Sequence, residues 1–160
     1  MWGLIYAGAF LAAFAGSAAL KMTADPFGGK YTAAWDSTVG SVYTDLPYGD
    51  GEANKFDLYV PADRGRESYG LVVYLHAGGF TSGDKSGDHE ILKWLCAKGY
   101  VAAGINYTLF SGEHPEANVY TQSVEIRDSI PFVLAEAEKL GYPIDRMAVS
   151  GGSAGHALAM

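Results

Sequence analysis

Arg146-Met147-Ala148-Val149-Ser150, then Gly151-Gly152-Ser153-Ala154-Gly155, then His156-Ala157-Leu158-Ala159-Met160 form the stretch on which the fold turns. The first five residues make a short apolar run that suits a buried parallel strand. The last five are rich in helix formers. Between them lies Gly-x-Ser-x-Gly, a pattern that presents a serine on a sharp turn from strand to helix. Five residues prove little in a chain with 21 glycines, so the flanking strand and helix carry the inference. Two backbones pass closely at such a turn, and Gly151 and Gly155 bring no Cβ to clash there. Ser153 then stands out as a nucleophile. Ala154 opens the helix with a free N–H at its positive end, which suits a developing oxyanion.

A second stretch points the same way. Leu71-Val72-Val73-Tyr74-Leu75 is a compact β-rich run leading into His76-Ala77-Gly78-Gly79-Phe80. A strand followed by paired glycines lets the backbone bend until successive N–H groups aim at one point. Gly78 and Gly79 are the expected donors. His76 opens this loop and reads as a brace for it.

On these residues the chain resembles the α/β-hydrolase superfamily, in particular the esterase/lipase branch with its hormone-sensitive-lipase-like and bacterial feruloyl-esterase-like carboxylesterases. HAGGFTSGDK, residues 76–85, resembles the family's oxyanion loop, with Ala77 in place of its first glycine. KFDLYVP, residues 55–61, resembles the early strand that ends in proline, and GINYTL, residues 104–109, resembles the Asp-Tyr-Arg-Leu segment with Asn106 and Thr108 as departures. Residues 144–155 resemble the strand and nucleophile elbow. The match runs over residues 39–160. It implies the N-terminal part of an α/β-hydrolase fold, with a mostly parallel sheet flanked by helices and cut just after the elbow. It also implies hydrolysis of a small-molecule carboxylic ester with no cofactor and no metal.

In that family the triad runs Ser, then Asp or Glu, then His. No residue between Ser153 and Met160 supplies either partner, and His156 is too close in sequence to serve. The expectation is therefore that acid and base lie beyond residue 160 and that the 160-residue chain alone is inactive. A serine peptidase of the prolyl-oligopeptidase type shares the elbow, though the His-x-Gly-Gly loop directly after a strand favours esterases. A non-catalytic binding module on the same scaffold would have no need of Ser153, Gly78 and Gly79 together. Phe80 and Tyr107 are candidates for lining a substrate pocket or for core packing.

Composition agrees with a globular α/β unit, at 49% hydrophobic and 18% charged residues. A net charge of −7 argues against a nucleic-acid partner. The single cysteine, Cys96, excludes an internal disulfide and reads as a buried thiol. His89 and His114 lack the spacing of metal ligands. The cluster Asp84, Lys85, Asp88, His89 and Glu90 reads as a solvated loop and helix start, with Asp88 as N-cap.

Residues 1–20 contain no charged side chain. A stretch of that length suits a membrane tether or a secretory signal, so export is expected, with cleavage and anchoring both open. A buried N-terminal helix is the alternative. The chain thus divides into residues 1–22 as signal peptide or membrane anchor, 23–38 as linker and 39–160 as the partial hydrolase domain. Within the last, strands are expected at 41–46, 54–60, 71–75, 100–106 and 146–150. A helix is expected at 88–98, and another at 119–140, broken or kinked by Pro131.

Overall fold

A computed structural model describes residues 6, 8–13, 15–16 and 30–160. The chain forms two compact units, residues 1–31 and 32–160. In the first, residues 6, 8–13 and 15–16 are helical and exposed, among them Tyr6, Phe10 and Leu11. The rest of the expected signal or anchor lies outside the described residues. Among those described, no helix is long and apolar enough to cross a membrane.

The second unit is built on five strands: β1 (Gly40–Pro47), β2 (Lys55–Pro61), β3 (Tyr69–Leu75), β4 (Val101–Ile105) and β5 (Ile144–Gly151), in the order β1-β2-β4-β3-β5. Pairing is antiparallel between β1 and β2 and between β2 and β4, and parallel from β4 to β3 and from β3 to β5. Four strands therefore point one way and only β2 opposes them, so the sheet is mixed. β3 and β4 are apolar on both faces, as is β2 apart from Asp57 and its first residue Lys55, and all three are almost wholly buried, as expected of strands covered on two sides. β4 reads Val-Ala-Ala-Gly-Ile. Its small residues make room for the helix above, since a Cβ on Gly104 would lie 2.9 Å from Leu92 Cδ1.

Three helices flank the sheet: α1 (His89–Ala97), α2 (Val119–Lys139) and α3 (Ala154–Leu158). α1 buries Ile91, Leu92 and Cys96, and it ends at Gly99, whose φ of +87° suits glycine. The Cys96 thiol is free, and burial pushes it up to about 12. α2 buries Gln122, Ile126, Ser129, Val133 and Ala137, one stripe at helical spacing. A capping box of Asn118 and Thr121 starts it.

Two expectations need correction. Pro131 sits inside α2, which continues through it as one helix and does not break into two pieces. The ring removes the bond to the Arg127 carbonyl, but Arg127 and Pro131 are both exposed, so water can take that place. β5 is parallel to β3 as expected, yet it is mostly exposed rather than buried. It is the last strand in the sheet order, and Met147 is 46% exposed.

Candidate active site

Register brings the site together. β3 pairs with β4 and β5 so that Leu75 lies level with Ile105 on one side and Gly151 on the other. The segments that follow these residues leave the sheet side by side, at the strands' carboxyl ends, where open α/β sheets bind ligands.

The Gly151-to-Gly155 turn follows β5. Ser153 has φ 48° and ψ −110°, a left-handed conformation that costs a non-glycine residue about 1–3 kcal/mol. Its side chain is exposed, while Ala154 and Gly155 are buried behind it. The two glycines are required by close approach. A Cβ on Gly155 would lie 2.1 Å from the Leu75 carbonyl oxygen, and one on Gly151 would lie 2.6 Å from it. Gly152 N–H donates to the same carbonyl at 3.1 Å. Ala154 begins α3, where the first N–H groups have no partner within the helix.

Residues 76–83 form the neighbouring loop. Gly78 has φ +148° and Gly79 φ +62°, and a Cβ on Gly78 would overlap the Ser82 carbonyl. The Gly78 carbonyl closes the loop by accepting from Ser82 N–H at 3.1 Å and Ser82 Oγ at 2.9 Å. Among the described residues no recorded hydrogen bond uses the N–H of Gly78 or Gly79. The loop meets the elbow at Ala77, whose Cβ lies 3.4 Å from the place a Gly152 Cβ would take.

His76 is buried, with Nδ1 3.0 Å from the Ala77 carbonyl, so Nδ1 carries the proton. Burial holds its pKa below the usual imidazole range. Its ring stacks on Tyr107. This environment suits a neutral brace. No recorded hydrogen bond joins any of the four histidines to Ser153. His89 is held by the Ser86 carbonyl and Glu90, and His114 by Glu116. No group of three or more metal-binding side chains occurs among the described residues.

Phe80, at φ 68°, packs against the core rather than lining the neighbouring cavity. Tyr107 is 1% exposed and reaches the edge of that cavity. The cavity, of about 540 Å³, opens beside the loop and is lined by His76, Thr81, Gly83, Asp84 and Asn106 among others. Ser153, Gly78 and Gly79 do not line it.

Several supports escape sequence reasoning. The charged cluster is not all solvated, because Lys85 is 5% exposed and its Nζ lies 2.9 Å from both Asp57 and Asp45. Breaking such a buried pair typically costs about 3–5 kcal/mol. Asp57, alone among the apolar residues of β2, was the available signal for a buried cation. Asp88 does occupy the N-cap position of α1, but its side chain makes no capping bond. Asp84 caps the preceding 3-10 turn instead, accepting from Ser86 N–H, and its pKa is lowered to about 2 although burial opposes the shift. Gln122, fully buried, donates to the carbonyls of Phe80 and Thr108 at 3.0 and 2.9 Å and so holds the strained Phe80 from behind.

Comparison with known proteins places this architecture. The chain is 29% identical over 115 residues to "Probable carboxylic ester hydrolase LipM" of Mycobacterium tuberculosis, covering 69% of this chain and 26% of that protein. It is 32% identical over 93 residues to kynurenine formamidase of Salmo salar, covering 57% and 29%. The chain thus spans less than a third of the length of these curated relatives. Among solved structures, Esterase B from Lactobacillus rhamnosis superimposes with a TM-score of 0.69 at 24% identity, over 94% of this chain and 48% of that one. Esterase 2 of Thermogutta terrifontis gives 0.60 at 24% identity, over 78% and 44%. Both structures share the α/β-hydrolase fold with this chain. The BD-FAE family, feruloyl-esterase-like, matches residues 56–160, well over half of the sequence, and the chain belongs to that family.

Proposed function

We propose that Ser153 is the nucleophile of a serine hydrolase that cleaves carboxylic esters through an acyl-enzyme. One observation carries this: a serine held at positive φ on a strand-to-helix turn, beside a glycine loop with two unused N–H groups. Ser153 Oγ attacks the ester carbonyl carbon and forms a C–O bond. The oxyanion is held by the N–H groups of Gly78, Gly79 and Ala154. As the intermediate collapses, the bond to the alcohol oxygen breaks and that oxygen takes the serine's proton by way of a general base. Water then attacks the acyl-enzyme by the same route and frees Ser153. We assign the base and its orienting carboxylate to sequence following Met160.

The test compares the 160-residue chain with the protein extended to its natural C-terminus, using an aryl ester, an aryl formamide and a peptide anilide. The formamide is included because a formamidase is among the relatives. The extended protein should hydrolyse the ester fastest, Ser153→Ala should lower the rate by about 10⁴-fold or more, and the 160-residue chain should be silent. Preference for the peptide anilide would make the protein a peptidase. Turnover unaffected by Ser153→Ala would overturn the assignment. The charge-free residues 1–20 support export of the protein, as signal or anchor, and fractionation of a C-terminally tagged protein tests that placement.

A further inference from the structure

Asn106 and Tyr107, directly after β4, touch the oxyanion loop at its two ends. At its start the Tyr107 ring lies on the His76 imidazole, with centroids 4.5 Å apart and planes 5° from parallel. The Tyr107 hydroxyl donates to the His76 carbonyl at 3.0 Å. At its far end Asn106 Oδ1 accepts from Lys85 N–H at 2.7 Å, and Asn106 Nδ2 donates to Asp84 Oδ2 at 2.6 Å. The Asn106 backbone is itself fixed, its N–H on the Lys55 carbonyl at 3.0 Å and its carbonyl on the Tyr48 hydroxyl. Every polar group of Asn106 is therefore engaged.

We propose that Asn106 and Tyr107 are positioning residues: a clasp that closes residues 76–84 at both ends and so aims the Gly78 and Gly79 N–H groups at the carbonyl on Ser153. The proposal rests on the ester-hydrolase reading. It adds a requirement on side-chain chemistry specific to this chain, where Asn106 stands in place of the aspartate of the resembling Asp-Tyr-Arg-Leu segment: that residue 106 be an amide. Its Nδ2 faces a carboxylate, and a carboxylate in its place would bring two acids within 2.6 Å. Like charges at that distance cannot both ionise at ordinary cost, and the pair shares a proton. Other charged or titratable groups around Asp84 are Lys85, His76 and Asp88, with Asp45 and Asp57 joined through Lys85 and Lys55 beside Asp45. All of these remain in each variant, so each rate is taken relative to wild type at the same pH.

The experiment is kinetics on the C-terminally extended protein at pH 5 and pH 8 for wild type, Asn106→Asp, Asp84→Asn/Asn106→Asp and Tyr107→Phe. Asn106→Asp should lose about 10–100-fold in kcat at pH 8, with KM little changed, and most of the loss should vanish at pH 5, where the pair holds its proton. The double variant exchanges amide and carboxylate between the two positions. The hydrogen bond then runs the opposite way, and kcat should recover at both pH values. Tyr107→Phe keeps the stacked ring, loses the bond to the His76 carbonyl, and should lower kcat several-fold. Wild-type kcat in Asn106→Asp at pH 8, no recovery in the double variant, or unchanged kcat in Tyr107→Phe would overturn the clasp. If Asn106→Asp does not fold, a folded and active double variant supports the clasp and an unfolded one refutes it. Thermal unfolding of the same proteins needs no substrate: Asn106→Asp should lose more Tm than wild type between pH 5 and pH 8. That pattern without Ser153-dependent turnover would sink the hydrolase reading alone.

Discussion

At Asp88 a carboxylate is carried into a place that supplies no partner for one of its oxygens. Oδ2 is buried without a hydrogen bond, and burial, helped by the charge of Asp84 and opposed by His89, pushes the group up to about 6. A folded-state value above the unfolded one near 3.8 means that stability is full below about pH 4 and falls as pH rises through about 6. Asp88→Asn should therefore add about 2 kcal/mol at pH 8 and almost nothing at pH 4. Urea midpoints at the two pH values measure this, and an equal effect at both would show that ionisation is not the cause. Such sites are hidden in the sequence. Asp88 reads as an N-cap because capping depends on neighbours along the chain, whereas its missing partner is a fact of packing. The same holds for Lys85, which lies in the 3-10 turn while its counter-ion Asp57 lies on β2, far away along the chain.

Among the elements, α2 shows how a local rule yields to surroundings. Pro131 removes one helical hydrogen bond at a position facing water, and the buried stripe from Gln122 to Ala137 continues on the other side. Pro131→Ala should restore that bond and raise stability by about 1–2 kcal/mol, after the lost rigidity of proline in the unfolded chain is allowed for. An unchanged urea midpoint would mean that water already satisfies the Arg127 carbonyl in full. The strands of the site were legible because β3 and the strand–turn–helix of residues 144–158 carry their patterns locally. Strand direction was not. Apart from Asp57, Phe56 to Val60 is apolar on both faces, a pattern that is the same for a parallel and an antiparallel neighbour, so the reversal of β2 left no periodic trace. The exposure of β5 was equally invisible, since Met147, Ala148 and Val149 at its centre read as the middle of a covered strand. Gln122 lies in the first turn of its helix, after the exposed Val119 and Tyr120, where nothing marks it as reaching the Phe80 carbonyl.

Across the second unit as a whole, the sheet is finished on one side and open on the other. β1 at one edge carries a bulge and an exposed pattern, with Asp45 at φ 55°, devices that blunt an edge. β5 at the opposite edge carries Met147 and shares a small apolar groove with Leu71, Val72 and Tyr100. Met147→Lys should raise several-fold the concentration at which the 160-residue chain self-associates, with its circular dichroism unchanged. Light scattering over a dilution series reads the effect, and identical curves would place the sticky surface elsewhere. The level pairing of Leu75 with Gly151 has a different kind of consequence. The separation between Ser153 and the glycine loop of residues 76–83 is set by rungs of hydrogen bonds across the sheet, not by the covalent path that joins the two segments through β4 and α2. A peptide bond opened in the exposed loop of residues 111–116 would leave those rungs intact, so two separately made fragments meeting at that loop can reconstitute the same geometry by association.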